Sequence, residues 1–504
     1  MSLNPLVASE NIIEKYLRYI ETTFYIDDKD YMKQFKSYLE KKDFFAKGPY
    51  LDFSDSFEFG KSINQLIDED ILSNEFKALY RDNPNLLTRS LYKHQELSIR
   101  KIREGRNLVV TTGTGSGKTE SFLLPIINYL MEQKVEGSLN DGVRALIIYP
   151  MNALANDQMK RMRELLANYP DITFGSYTGE TEKEDKNALS KYMSLNSGQK
   201  PLLNERISRN QMKERPPHIL ITNYAMLEYL LLRPADNVFF HGDYSNEWKF
   251  IVLDEAHTYT GATGIEVSML LRRLKNTLAT RESIRFILTS ATLGDEKDNK
   301  EICDFASRLC TGVTFGEKSI VRAFRLSKFN SSEAKEYRSD IYTSINQLID
   351  RGASINEIRT LLQTIDSSFV SAAVSVQELL YDFLIQDRFY YRMREVLSNE
   401  PVTIKKISEE MKVNEIDVVA FVSIARKAEK KNIMLLDARY HMFIRALEGA
   451  YVVLGANKEL SITPRDKAYI GGKEFKSYKI AVCQYCGHVY LEAKIDHYDS
   501  AMYA

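Results

Sequence analysis

A glycine-rich loop between an apolar stretch and a helix-like stretch carries the residues with the clearest chemistry. Its backbone can curl so that amide groups point at phosphate oxygens, and the N-terminus of the following helix adds a positive dipole. The pattern predicts nucleotide binding, with Lys118 reaching the β- and γ-phosphates and Thr119 binding Mg²⁺. The strict pattern begins with glycine, where this chain has Thr112. The predicted phosphate-loop residues are Thr112, Gly113, Thr114, Gly115, Ser116, Gly117, Lys118 and Thr119.

An acidic turn directly follows the apolar run at residues 250–253. Asp254 is predicted to hold Mg²⁺, directly or through water, and Glu255 to orient and help deprotonate an attacking water. His257 is placed to hydrogen-bond towards the γ-phosphate or a neighbouring domain. By itself the turn could equally cap the next helix, but the phosphate loop upstream favours a catalytic role. The candidate catalytic residues are therefore Glu255, Asp254 and Lys118.

The elements that must position these residues are short, continuously apolar runs separated by helix-like stretches. Continuous apolar runs are typical of strands that are buried on both faces. Strands that alternate with helices predict a parallel α/β sheet, whose functional loops lie at the carboxyl ends of the strands. The candidate strands are residues 107–110, 145–149, 172–174, 218–221, 250–253 and 286–288.

Together, four motifs resemble those of the superfamily-2 DEAD/DEAH-box helicases. Residues 112–119 are similar to motif I, residues 254–257 to motif II, and residues 290–292 to motif III. Residues 92–95 are similar to the Q-type motif that reads adenine. The resemblance implies a RecA-like P-loop NTPase fold with ATP and Mg²⁺ as cofactors. It further implies that Gln95 contacts the nucleotide and that Ser290 and Thr292 couple nucleotide state to strand movement.

Two further stretches resemble the motifs that line the nucleic-acid track in this family. Residues 149–158 are similar to motif Ia and residues 222–228 to motif Ib, although ordinary strand-to-helix turns could look alike. The resemblance implies backbone contacts from four residues, namely Pro150, Asn152, Thr222 and Asn223. No residue distinguishes DNA from RNA, since the 2′-hydroxyl decides that choice.

The acidic turn and the helix after it narrow the resemblance to one branch. Residues 254–259, followed by Gly261, Gly264 and residues 270–274, resemble the Hrq1/MrfA-type DNA-repair helicases and the large helicase subunits of bacterial anti-phage defence systems. The N-terminal helical block and residues 443–449 favour the defence members. The branch implies DNA as the nucleic-acid partner.

The resemblance covers about residues 90–320, which correspond to one RecA-like domain. Beyond residue 320 we find neither a second strand–helix alternation nor the arginine pair of the second domain. Because an arginine finger contributes about 10³ to 10⁵ in rate, we expect this chain alone to bind ATP but to hydrolyse it poorly. A second chain or a missing C-terminal segment would supply the other domain. The alternatives are a non-hydrolysing ATP-binding scaffold or switch subunit, and an RNA helicase.

A C-x₂-C knuckle near the C-terminus, Cys483 and Cys486, is typical of half a tetrahedral Zn²⁺ site. A second cysteine pair would have to lie beyond residue 504. The alternatives are a Cys₂His₂ site completed by His488 and His497, and a metal-free ribbon.

Composition excludes several classes of protein. The 504 residues carry a net charge of −1 and are 44% apolar, which excludes a disordered chain and argues against a uniformly basic coat protein. Membrane spans and a signal peptide are not expected, and four cysteines indicate a reducing compartment, with the cytoplasm as the default. The predicted domains are a helical region at 1–88, the RecA-like domain at 89–320, a helical region at 321–400, a winged-helix-like unit at 401–436 and a β-rich segment at 437–504.

Overall fold

The structure is a computed structural model that divides into two compact units. One unit comprises Phe57–Leu326, and the other comprises Met1–Ser56 together with Ser327–Ala504. The structure describes residues 4–54, 57–113, 117–278, 284–291, 296–310, 312–324, 334–398, 400–430, 433–454, 458–492, 496–498 and 501–503. Across these ranges, no helix combines the length and apolarity that a membrane crossing requires.

The first unit is built on a parallel sheet of eight strands, which confirms the predicted α/β, RecA-like fold class. In chain order the strands are β1 (Leu108–Thr111), β2 (Ala145–Tyr149), β3 (Phe174–Ser176), β4 (Glu205–Arg206), β5 (Ile219–Asn223), β6 (Phe250–Leu253), β7 (Arg285–Ser290) and β8 (Ile320–Arg322). Their spatial order is β8-β1-β7-β6-β2-β5-β3-β4. Because β1 and β6 are separated only by β7, the phosphate loop and the acidic turn leave the same sheet edge close together.

Both faces of this sheet are covered, which explains the continuous apolar runs. Alternate residues of one strand enter different cores: Val109 packs into the core on one face, and Leu108 and Val110 pack into the core on the other. The same alternation places Ile147 opposite Leu146. A strand with solvent on one face would show polar residues at every second position instead.

Helices of the first unit flank the sheet. They span Ile63–Asp68, Phe76–Leu79, Asn85–Thr88, Lys93–Arg103, Lys118–Val135, Asn152–Leu166, Asp185–Leu195, Arg209–Glu214, Tyr224–Leu232, Gly261–Thr277 and Asn299–Leu309. Short 3₁₀ helices span Asn237–Phe240, Gly242–Asn246, Ala256–Thr258, Glu296–Asp298 and Glu317–Ser319. Two further strands, Phe59–Ser62 and Ser90–Tyr92, pair antiparallel before the large sheet begins.

The strand predicted at residues 172–174 differs from the structure, in which β3 begins at Phe174. The reason is local: the Thr173 amide donates to Nδ1 of His218 at 3.0 Å rather than to a neighbouring strand. Strands β4 and β8 were not predicted, since two or three residues carry too little pattern.

The second unit combines helices with small antiparallel sheets. Its helices are Pro5–Thr23, Lys29–Leu39, Lys42–Phe45, Asp340–Asp350, Ile355–Ile365, Val376–Leu384, Arg388–Val396, Ile404–Met411 and Glu415–Lys427. Its strands are Ala46–Ser54, Val402–Thr403, Glu429–Lys430, Ile433–Met434, Asp437–Ile444, Ala450–Val453, Glu459–Ser461, Lys467–Ile470, Lys473–Lys476, Tyr478–Val482, Val489–Leu491, Asp496–Tyr498 and Ala501–Tyr503.

The region predicted as one helical block, residues 1–88, is divided between the two units. Its strand Ala46–Ser54 pairs antiparallel with Asp437–Ile444, and Leu51 of that strand is fully buried in the core of the second unit. The partner strand lies hundreds of residues away in the sequence, so local patterns gave no sign of the pairing.

The segment at residues 401–436, predicted as a winged-helix-like unit, contains a short strand, two helices and a two-stranded hairpin. Its second helix, Glu415–Lys427, packs against the helix Asp340–Asp350 and buries Phe421. Asp417 on this helix accepts hydrogen bonds from Ser339 and Thr343. Because packing covers most of the helix, its exposed surface is small.

Candidate nucleotide-binding site

The phosphate loop leaves β1 and ends at Gly117, which precedes the helix Lys118–Val135. Gly117 has a φ of 71°, and a Cβ placed there would lie 2.4 Å from Nε2 of Gln95. Glycine is strongly favoured at this left-handed, close-packed position. The three residues before it, Thr114, Gly115 and Ser116, lie outside the described residues.

Gln95 connects the loop to the antiparallel strand pair, Phe59–Ser62 and Ser90–Tyr92, that precedes the large sheet. Its Nε2 donates to the carbonyl of Gly117 at 3.0 Å, and its Oε1 accepts from the amide of Tyr92 at 2.9 Å. The Tyr92 ring stacks on Phe59, with centroids 5.4 Å apart, and on His94 at 5.6 Å. The Q-type motif is thus packed directly on the phosphate loop, with an aromatic group that includes Phe59, which sequence reasoning missed.

Lys118 and Glu255 form an ion pair, with Nζ 2.9 Å from Oε1. Glu255 adopts a left-handed backbone, with φ at 49°, and its amide donates to Oδ1 of Asp254 at 3.0 Å. Left-handed backbone is unfavourable for a non-glycine residue and is often found at functional sites. The structure therefore brings all three candidate catalytic residues together.

Asp254 is 8% exposed at the carboxyl end of β6. The Thr289 hydroxyl on neighbouring β7 donates to its Oδ1. Burial raises the pKa of Asp254 above its ordinary value, an effect that the Thr289 hydrogen bond opposes. Sequence reasoning missed Thr289, whose position before Ser290 in an apolar strand gave it no functional signal.

His257 joins the acidic turn to the segment predicted as motif III. Its Nδ1 lies 2.9 Å from Oγ of Ser290 and 3.4 Å from Oε2 of Glu255. The Ser290 carbonyl accepts a hydrogen bond from the amide of Thr112 at 3.1 Å. Ser290 therefore contacts both the acidic turn and the phosphate loop, while Thr292 lies outside the described residues.

The helix Asn152–Leu166 contributes a residue that sequence reasoning missed. Nη1 of Arg161 donates to Oγ1 of Thr119 at 2.8 Å, and Nη2 donates to Oε1 of Glu120 at 2.5 Å. In the sequence, Arg161 is one basic residue on a helix of mixed charge, nine positions after Asn152. This pattern does not indicate a contact with the phosphate loop.

Two of the residues predicted to contact nucleic acid meet at the sheet edge. Nδ2 of Asn223 donates to Oδ1 of Asn152 at 2.7 Å, and Pro150 is partly exposed just before them. Thr222, in contrast, is fully buried and donates its hydroxyl hydrogen to the carbonyl of Tyr177 at 2.7 Å. The structure thus leaves Pro150, Asn152 and Asn223, rather than Thr222, with side chains near the surface.

The cysteine knuckle belongs to the second unit, between the strands Tyr478–Val482 and Val489–Leu491. The backbone N–H groups of Cys486 and Tyr485 hold the pKa of the Cys483 thiol below its ordinary value. In the part of the chain that the structure describes, no three His, Cys, Asp or Glu side chains gather as a metal site. The His497 side chain lies outside the described residues, so a zinc ion stays a proposal.

The first unit has the chemistry that ATP and Mg²⁺ require. Gly117 has a left-handed backbone and packs closely against Gln95, and Lys118 supplies the positive charge. Thr119 and Asp254 offer the oxygen ligands that Mg²⁺ prefers, and Mg²⁺ usually completes its shell with waters and substrate phosphates. Two protein ligands are therefore sufficient for an Mg²⁺ ion that also binds water and phosphate.

Comparison with known proteins adds independent information. Residues 92–300 match the DEAD/DEAH box helicase family. Druantia protein DruE of Escherichia coli (strain UMEA 4076-1) is 26% identical over an alignment that covers 88% of this chain and 30% of DruE. ATP-dependent helicase Lhr-Core of Methanocaldococcus jannaschii is 31% identical, over 36% of this chain and 19% of that protein. ATP-dependent helicase hrq1 of Schizosaccharomyces pombe is 27% identical, over 40% and 16%.

Among solved structures, the DUF1998 helicase MrfA bound to DNA is similar with a TM-score of 0.38 and 19% identity. The similarity covers 63% of this chain and 40% of that one. The chain spans less than a third of the length of the three curated relatives named above.

Proposed function

Because residues 92–300 form a DEAD/DEAH box helicase domain, we propose that this chain is the ATP-binding motor part of a nucleic-acid helicase or translocase. The observation that carries the proposal is the ion pair of Lys118 and Glu255 beside buried Asp254, at the end of the phosphate loop. Separate motifs that converge on a few ångströms are expected of a catalytic site and not of a structural turn.

The side chains suggest how the site works. Lys118 leaves Glu255 when phosphate oxygens compete for its ammonium, and the released carboxylate then orients the attacking water. Thr119 and Asp254 would hold Mg²⁺, which would supply positive charge to the phosphoryl oxygens. Gln95 and the aromatic group beside it, including Tyr92, bind the base. His257 and Ser290 transmit the release of Glu255 from Lys118 to the end of strand β7.

Full turnover needs a second RecA-like domain. In the described ranges, the only sheet with several parallel strands is the eight-stranded one, and the small sheets of the second unit are antiparallel. A second domain would close over the nucleotide and supply the arginine, worth about 10³ to 10⁵ in rate. We propose that the complete assembly includes another domain, on this protein or on a partner chain.

The nucleic acid that we propose is DNA, bound through its backbone at Asn152 and Asn223. The resemblance of residues 254–259 and 270–274 to the Hrq1/MrfA-type helicases supports DNA, and the similarity to Druantia protein DruE supports a role in anti-phage defence. Backbone contacts read no sequence and lose affinity as salt rises. RNA binding is the competing outcome, and equal stimulation by RNA would favour it.

The test is ATP binding and ATPase activity of the full chain, with and without single-stranded DNA or RNA. Lys118→Ala should abolish ATP binding, whereas the exposed control Lys186→Ala should leave it unchanged. Intact ATP binding in Lys118→Ala would contradict the proposed function. ATP binding without stimulated turnover, even when a second RecA-like domain is added, would instead favour the scaffold reading.

A further inference from the structure

The contact between Arg161 and the phosphate-loop helix has no role in the function proposed so far. Arg161 reaches two consecutive residues of that helix, donating to Thr119 Oγ1 at 2.8 Å and to Glu120 Oε1 at 2.5 Å. Thr119 is 6% exposed, and its hydroxyl is the predicted protein ligand of Mg²⁺ beside Asp254. A residue that fixes this hydroxyl controls how the ligand is presented.

The shape of the guanidinium suits this task. Its N–H groups lie in one rigid plane, so engaging Thr119 and Glu120 together restricts both side chains at once. A hydroxyl oxygen has two lone pairs. Accepting from Arg161 therefore leaves the second lone pair of Thr119 for a metal ion, and the two contacts are compatible.

The charge of Glu120 and the packing of the helix that carries Arg161 also favour this contact. Glu120 balances the charge of Arg161, which reduces the repulsion that a bare guanidinium would exert on a nearby cation. The helix that carries Arg161 is anchored by Ala155, Met159 and Met162, which are buried against the sheet. Arg161 therefore projects from a fixed support.

We propose that Arg161 is a positioning residue that holds the Thr119 hydroxyl in place for the Mg²⁺ of bound MgATP. The inference rests on the proposed function, because it requires ATP at the phosphate loop. Outer residues that orient a metal ligand typically account for a 10- to 100-fold change in metal affinity. Loss of Arg161 should therefore weaken the Mg²⁺-dependent part of ATP binding.

The experiment measures the Kd of a fluorescent ATP analogue for the full chain, in excess Mg²⁺ and in EDTA. Arg161→Ala should raise the Kd in Mg²⁺ about 10-fold or more and leave the Kd in EDTA unchanged. Arg161→Lys keeps the positive charge but has a single ammonium group in place of the guanidinium. It should therefore show a smaller loss of ATP affinity in Mg²⁺. The control is Lys160→Ala, an exposed neighbour on the same helix, which should behave as wild type. Thermal unfolding checks that each variant is folded.

A double variant separates positioning from general damage. In a Thr119→Ala background, Arg161→Ala should add no further loss in Mg²⁺, because its target is gone. If Arg161→Ala has unchanged Mg²⁺ dependence, or loses ATP affinity equally in Mg²⁺ and in EDTA, the proposed role of Arg161 is overturned while the proposed function still stands. If wild type binds no ATP, or Lys118→Ala binds it equally, the proposed function itself fails.

Discussion

Nζ of Lys118 lies 2.9 Å from Oε1 of Glu255, a residue 137 positions later in the chain. This ion pair connects the phosphate loop to the acidic turn. Each side chain neutralises the charge of the other, so the pair holds both in place at the candidate site.

Glu255→Gln should separate binding from hydrolysis. The substitution removes the carboxylate that orients water but also releases Lys118 from its ion pair. We expect ATP to bind at least as tightly as in wild type, while turnover in the presence of the second domain falls by about 10²- to 10⁴-fold. Binding and single-turnover assays measure the two effects, with exposed Glu266→Gln as the control. Undiminished turnover would exclude Glu255 as the base.

Gly117→Ala should weaken nucleotide binding about 10-fold. The added Cβ would meet Nε2 of Gln95 at 2.4 Å, and the φ of 71° costs a non-glycine residue roughly 1 to 2 kcal/mol. Combining it with Gln95→Ala should relieve the collision but not the backbone cost. Calorimetric titration with ATP provides the measurement. The control is Gly179→Ala, whose Cβ would meet nothing within 4 Å and which should bind ATP normally. Equal ATP binding by the two variants would contradict the proposed role of Gly117.

The track residues Asn152 and Asn223 should differ in their effect on stability. Oδ1 of Asn223 also accepts from the amide of Met226 at 2.7 Å and so caps the helix Tyr224–Leu232. Asn223→Ala should therefore lower the free energy of unfolding by about 1 kcal/mol and weaken DNA binding. Asn152→Ala should weaken DNA binding without the cap loss. Fluorescence anisotropy with single-stranded DNA and chemical unfolding measure both quantities, with exposed Asn210→Ala as the reference.

The second unit should lose stability as pH rises from about 4 to 7. Burial raises the pKa of Asp387 from 3.8 to about 7, so over this range the folded chain holds a proton that the unfolded chain has released. The contribution is fully present below pH 3.8 and lost as pH rises through about 7. Asp387→Asn should flatten this dependence while keeping an acceptor for the amide of Phe389.

Urea unfolding of wild type and Asp387→Asn at pH 4.5, 6 and 7.5 checks this expectation. The difference between the two proteins should grow by a few kcal/mol across the series, at about 1.4 kcal/mol per pH unit. Parallel curves for the two proteins would show that Asp387 does not titrate in this range.

Much of the motor unit could be predicted because its signals are local. The phosphate loop and the acidic turn are each contiguous in the sequence, and five of the six predicted strands coincide with β1, β2, β5, β6 and β7. Burial on both faces makes such strands visible as apolar runs. The short strands β4 and β8 lacked this signal.

The phosphate loop and the acidic turn could be predicted from sequence because each is formed by neighbouring residues, and the class of fold could be predicted from the apolar runs. The distant residues that support them became visible only in the folded chain: Thr289 contacts Asp254, Arg161 contacts Thr119, and the strand Ala46–Ser54 pairs with Asp437–Ile444. These contacts join residues 35, 42 and several hundred positions apart. Side-chain type gives no indication of such partners, because packing of the whole chain sets their distances.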